Sequence, residues 1–83
     1  MPEKSAGQEL KALRKQRGLS IRDVYKFSKQ VAVRRRNPAF LLPPSRLSDI
    51  ERKGVTPSIY RLYTLSLVYK CGLRKLLRFY GIK

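Results

Sequence analysis

The side chains in this chain that are best equipped for chemistry recognise anions rather than make or break bonds. Twenty Lys and Arg stand against five Asp and Glu, a formal charge of +15 over 83 residues. Arg34, Arg35 and Arg36 are consecutive, Arg52 and Lys53 are adjacent, and hydroxyls accompany cations at Ser20 with Arg22 and at Ser45 with Arg46. Such a field selects a polyanion, nucleic acid first and an anionic membrane second. An RNA-binding or ribosome-associated protein would carry the same charge, so the charge defines the class of partner and not the partner.

Catalysis and metal binding find little to work with. There is no His, and Cys71 is single, which excludes an internal disulfide and a Cys/His zinc site. Asp49 and Glu51 fall on different helix faces, and no Gly-rich loop is placed to cradle phosphate. The expectation is a binding protein, not an enzyme, with no cofactor and no metal. The opening MPEKSAGQEL lacks an apolar signal core, and the apolar-rich stretch from Ile59 to Tyr69 is too short and too polar to span a bilayer. A cytoplasmic or nucleoid location without a membrane partner follows as the expectation. A hydrophobic content of 42% suits one modest core, hence one domain over residues 1–83.

The elements that must position these charges all read as helices. Met1 to Gly7 is polar and expected to fray. Glu9 to Arg17 is a helix with Leu10 and Leu13 inward and Gly18 as its stop. Ser20 caps a second helix, with Asp23 completing a capping box, Leu19 and Val24 in staple positions, and Val24 and Phe27 on its buried face. Its end is expected between Ser28 and Val33, leaving residues 29–43 as an inserted loop. A third helix runs from about Pro44 to Lys53, with Leu47 and Ile50 on one face and Gly54 after it. Thr56 is placed to cap a fourth helix, with Pro57 in its first turn. Ile59, Leu62, Tyr63, Ser66 and Tyr69 recur at helical spacing, widened by Leu65 and Val68. Leu73 to Tyr80 forms a fifth, with Leu73, Leu76, Leu77 and Tyr80 inward and Gly81 as its stop. The fold class is all-α.

Taken together, LKALRKQRGLSIRDV, SRLSDIERKG, TPSIYRLYTLSLVY and GLRKLL resemble the Cro/C1-type (XRE-type) helix-turn-helix regulators. The resemblance implies a lambda-repressor-like bundle of five helices, in which helices two and three form the DNA-reading unit and many members bind as dimers. It implies that Arg14 and Glu51 form an ion pair linking helix one to the end of helix three. It places Pro44, Ser45 and Asp49 toward base edges, with Arg46 close to the backbone or to a neighbouring base, and Ser45 and Arg46 have the better donors for a base contact. Pro44 offers none, and Asp49 either accepts from a cytosine amine or pairs with Arg52 or Lys53 on its own helix. Ser20 and Arg22 form one phosphate clamp, and Arg52, Lys53 and Thr56 form another. Pro43 stands where a hydroxyl or amide cap is common, so Ser45 is a candidate cap for a shorter helix. Ile21 replaces a frequent Gln, removing one expected phosphate donor.

The departure from the family is the stretch from Val24 to Leu47, far longer than the tight turn of such a unit allows. It gives the expected fold an enlarged loop between helices two and three. Three readings of the insertion are open: a basic arm whose Arg34, Arg35 and Arg36 reach phosphates, a dimerisation arm built on Phe40, Leu41 and Leu42, or a connection that merely packs its apolar residues on the body. Beyond double-stranded DNA, a homodimer and a protein partner remain open, the latter in an antitoxin-like or phage-like accessory role.

Overall fold

A computed structural model describes residues 5–82. Five α-helices and one short 3-10 helix occur among them, with no strand: α1 (Ala6–Gln16), α2 (Ile21–Arg35), the 3-10 helix (Pro38–Phe40), α3 (Pro44–Arg52), α4 (Ile59–Val68) and α5 (Leu73–Phe79). The all-α five-helix architecture expected from the pattern is therefore the one observed.

The chain closes around one core. Leu10 and Leu13 of α1, Val24 of α2, Leu47 and Ile50 of α3, and Leu62 and Leu65 of α4 meet with Leu42, Tyr69 and Leu76 in a single buried cluster. Leu73, Leu77 and Tyr80 pack against it half-buried, as does Phe79. Burial pushes the Tyr69 phenol far above its ordinary pKa, and its hydroxyl finds no hydrogen-bond partner among the described residues. This phenol is anchored by shape and not by its polar end.

The start of the first helix corrects the expected fraying at residues 5–7. Met1 to Lys4 lie outside the described residues, but Ser5 caps α1 in a capping box. Its hydroxyl accepts from the Gln8 amide at 3.2 Å, while its own amide donates to the Gln8 side chain at 3.0 Å. Gly7 is buried against α3. A Cβ there would sit 2.5 Å from the Ile50 carbonyl oxygen and 2.7 Å from that of Glu51, so only glycine lets the two helices approach this closely.

A second correction concerns the insertion. Residues 29–43 are not a loop, because α2 continues through Arg35 before the chain turns. The run SKQVAVRRR contains no Gly or Pro, and the first true breaker is Asn37 before Pro38, which disfavours helical geometry at the residue preceding it. Arg36 adopts the left-handed conformation at φ 52°, and the Asn37 amide reaches back to the Ala32 carbonyl at 3.0 Å, closing the helix end. Asn37 then accepts from the Ala39 amide and starts the 3-10 turn.

The returning chain docks on α2 and α4. Ser28 accepts from the Leu42 amide at 3.0 Å and donates to the Tyr25 carbonyl at 2.7 Å. The chain thus runs on from Ser28 to the end of α2, turns after Arg36, and comes back at Leu42 to Ser28. Thr64 donates to the Phe40 carbonyl at 2.7 Å and Arg61 to that of Leu41 at 3.0 Å, while the Phe40 ring meets Tyr60 and Tyr63 edge-on. The apolar segment packs on the body: Leu42 is fully buried, and Phe40 and Leu41 are half-buried.

Three smaller expectations also change. Ser58, not Thr56, caps α4 by accepting from the Arg61 amide at 3.2 Å, and Pro57 lies before the helix, buried. Ser45 caps nothing, because α3 already begins at Pro44 with Pro43 in the cap position and no side-chain cap bond. Phe27, expected inward, is 40% exposed. The buried face of α2 follows Val24, Ser28 and Ala32 at intervals of four, and Phe27, three residues after Val24, falls to the far side of Val24 from that face.

Candidate nucleic-acid interface

The third helix has two faces held in different ways. Its inner face carries Leu47, Ile50 and Glu51, all buried. Glu51 receives a two-pronged hydrogen bond from Arg14, Nε to Oε2 at 2.8 Å and Nη2 to Oε1 at 3.0 Å, and Nη1 of the same guanidinium donates to the Leu19 carbonyl at 2.9 Å. Contact with Glu51 raises the Arg14 pKa above its already high ordinary value. A planar fork against a carboxylate fixes direction as well as distance. One guanidinium therefore ties α1, the turn before α2, and α3 into one frame.

The outer face is open. Ser45 and Arg46 are exposed in its first turn, and Arg52 and Lys53 are exposed at its end. Pro44 and Asp49 are half-buried. Asp49 faces Lys53 at 3.5 Å in a surface ion pair, so the local partner that competes with a base contact is in place. With no side chain capping α3, its first amides are left to solvent or a ligand, and the helix end carries partial positive charge. Gly54 terminates the helix at φ 72°, letting the Val55 amide turn back to the Asp49 carbonyl at 3.4 Å. Thr56 follows, exposed.

The start of α2 forms the neighbouring edge, and α2 packs directly on α3. Ser20 is exposed, its hydroxyl accepting from the Asp23 amide at 3.0 Å while the Asp23 carboxylate accepts from the Ser20 amide at 2.9 Å. The Ser20 amide first, and then the Ser20 hydroxyl beside the carboxylate, hold the Asp23 carboxyl below the usual range. Arg22 next to them is exposed. The Asp23 charge in the same turn opposes an incoming phosphate.

The arginine tract is divided by the structure. Arg34 and Arg35 are in the last turn of α2, and Arg36 caps its end, all exposed. Arg35 lies over the Tyr63 ring at 5.1 Å and also donates to the Tyr63 hydroxyl. Arg34 lines a trough between α2 and α4. Arg36 is thus the member left with open surroundings. The tract sits at the opposite end of α2 from Ser20 and Arg22, about 20 Å away along the axis.

Sequence reasoning did not pick out Ser28, Arg61 and Thr64, which hold the returning chain. For Ser28 a signal was present: a small hydroxyl one turn after Val24, on the face that points to the core. Arg61 and Thr64 read from sequence as ordinary members of an amphipathic helix.

Among the described residues, no group of His, Cys, Asp and Glu could hold a metal ion, and no helix is long and apolar enough to cross a membrane. Comparison with protein-family models, curated proteins and solved structures finds no match to this chain.

Proposed function

We propose that this protein is a sequence-specific double-stranded DNA-binding regulator of transcription that acts by occupying an operator. The observation that carries this reading is the division of α3: its inner face is fixed to the frame by Arg14 and Glu51, while its outer face offers Ser45, Arg46, Arg52 and Lys53 on a strongly cationic chain. A rigidly held helix with an uncapped amino end and exposed donors suits entry into a major groove.

In this reading α2 and α3 are the helix-turn-helix unit, and the excursion between Ser28 and Leu42 is an insertion that returns to its starting point. Arg46 and Ser45 are the base-reading candidates. Asp49 serves as a local partner of Lys53. Ser20 and Arg22 at one edge, and Arg52, Lys53 and Thr56 at the other, contact phosphates by charge and hydrogen bonding. Arg36 is the member of the arginine tract best placed to add backbone contact. The corresponding location is cytoplasmic, on the nucleoid when bound.

The test is selection of bound molecules from a random duplex DNA pool by the purified protein. An enriched motif supports the reading, and the symmetry of that motif reports whether one or two copies bind. A bound pool without sequence bias, or equal retention of duplex RNA, contradicts it.

A further inference from the structure

A second surface lies where DNA reading has no use for it. Between α2 and the carboxyl half of α4 runs a trough of about 520 Å3, to which α3 contributes no lining residue. Its floor and walls are apolar, with Phe27 and Val31 of α2 facing Leu67 and Val68 of α4. Phe27 is 40% and Leu67 47% exposed, and no role in the core or in DNA contact accounts for either ring or branched chain standing in water. A shallower depression lined by Lys29, Gln30, Val33 and Arg34 continues it, and Val33 is 76% exposed. Exposed apolar side chains gathered on one face mark an interaction surface more than scattered single ones do.

The rim identifies the occupant by its charge. Arg17, Arg34 and Lys70 line the trough, and no carboxylate does. Arg17 is held in place by donating to the Tyr69 carbonyl at 2.7 Å. An apolar floor rejects a phosphate backbone, while a cationic rim rejects a second copy of a chain carrying +15, because like charges would be brought together. A small amphiphilic anion would fill the volume but keep much of its surface wet, since the trough is open along its length. An amphipathic helix instead buries one stripe and leaves its other face in water. From Phe27 to Arg34 the α2 wall is about 10 Å long, two helical turns, which matches anchors at positions i, i+3 or i+4, and i+7.

We propose that this trough is the docking site for an acidic amphipathic helix of a partner protein, which seats apolar side chains between Phe27 and Leu67 and sets carboxylates against Arg17, Arg34 and Lys70. The site is separate from α3, so the helix and a DNA duplex bind together.

The probe is a fluorescein-labelled peptide of about fifteen residues, long enough for a marginal helix to form on binding, with Leu at those spacings and Glu on its flanks. Binding is read by anisotropy at moderate salt, beside a scrambled peptide of identical composition and a Lys-for-Glu counterpart. Wild type should bind the designed peptide and neither control. Phe27→Ser and Leu67→Ser should each weaken it by about tenfold or more, as for an interface anchor, and Lys70→Gln should weaken it less, with cooperative melting kept in all three. Their affinity for DNA should not change. Equal binding of the scrambled peptide, or unaltered affinity in both Ser variants, overturns the proposal. So does a wild-type dimer in sedimentation that these variants convert to a folded monomer, because a second copy would then be the occupant. Lost peptide binding with retained DNA binding separates this site from α3, and the peptide measurement holds whether or not α3 reads DNA.

Discussion

Two acidic residues of α3, Glu51 and Asp49, make ion pairs in opposite directions, and the contrast shows how environment assigns work to the same chemistry. Glu51 and Arg14 meet behind the helix, buried at 6% and 7% exposure, with two hydrogen bonds between them and a third from Arg14 to the backbone. Asp49 and Lys53 meet in front of it at 3.5 Å, with Lys53 largely in water. Desolvation makes the first pair rigid and its loss expensive, because an unmatched charge would stay buried. The second is screened, costs little to break, and can exchange its partner for a phosphate. A helix that reads another molecule needs both: a back that cannot shift and a front whose side chains are uncommitted.

The largest effect expected of this contrast is at the back. Glu51→Ala, leaving Arg14 buried without its acid, should destabilise the fold by about 3–5 kcal/mol, read from denaturant unfolding. A loss below 1 kcal/mol would make the two pairs equivalent and remove the distinction. Next is Leu42, fully buried where the excursion returns beside Ser28. Leu42→Ala should cost about 2–5 kcal/mol, and an effect near zero would mean that the excursion is not seated on the core.

At the front the expected effects move from stability to binding. Arg46→Ala should leave the melting transition in place and reduce discrimination between cognate and mismatched duplex by about 1–3 kcal/mol if its contact is bidentate. Ser45→Ala, with a single hydroxyl, belongs at or below the lower end. Lys53→Ala should cost under about 1 kcal/mol of stability, yet lower the salt dependence of DNA affinity by about one unit. Titrations at several salt concentrations check it, and an unchanged slope would leave Lys53 as a partner of Asp49 alone. The smallest effect concerns acid. Because the folded Asp23 carboxyl is held below its ordinary value, it stabilises the start of α2 above the usual carboxylate range and loses that contribution as pH falls through its folded value. Asp23→Asn should flatten the acid side of the stability profile, and an identical profile would show that the cap is silent.

Legibility in the sequence followed the range of the interactions. The Ser20–Asp23 box, the inward Leu10 and Leu13, the start of α3 at Pro44 and its stop at Gly54 are local, and each was readable from neighbours in the chain. The Arg14–Glu51 pair joins positions far apart, and only the family resemblance pointed to it. The path of residues 29–43 was not readable, since the course of the chain after Arg35 depends on Ser28, Arg61 and Thr64 accepting it. The misplaced Phe27 has a local cause: after Val24 both i+3 and i+4 are open as the inward direction, and Ser28 takes it, which leaves the ring on the wall of a trough. Ser58 over Thr56 was a choice between two hydroxyls flanking Pro57, decided by where α4 meets the core.

On the proposed reading, the front of α3 meets bases while its back only holds the helix in place. Selection from a random duplex pool, run in parallel with wild type and Arg46→Ala, tests this most directly. Wild type should enrich one motif, and the variant the same motif relaxed at one or two adjacent positions with the rest retained. No motif for wild type, or an identical motif for both proteins, would contradict it.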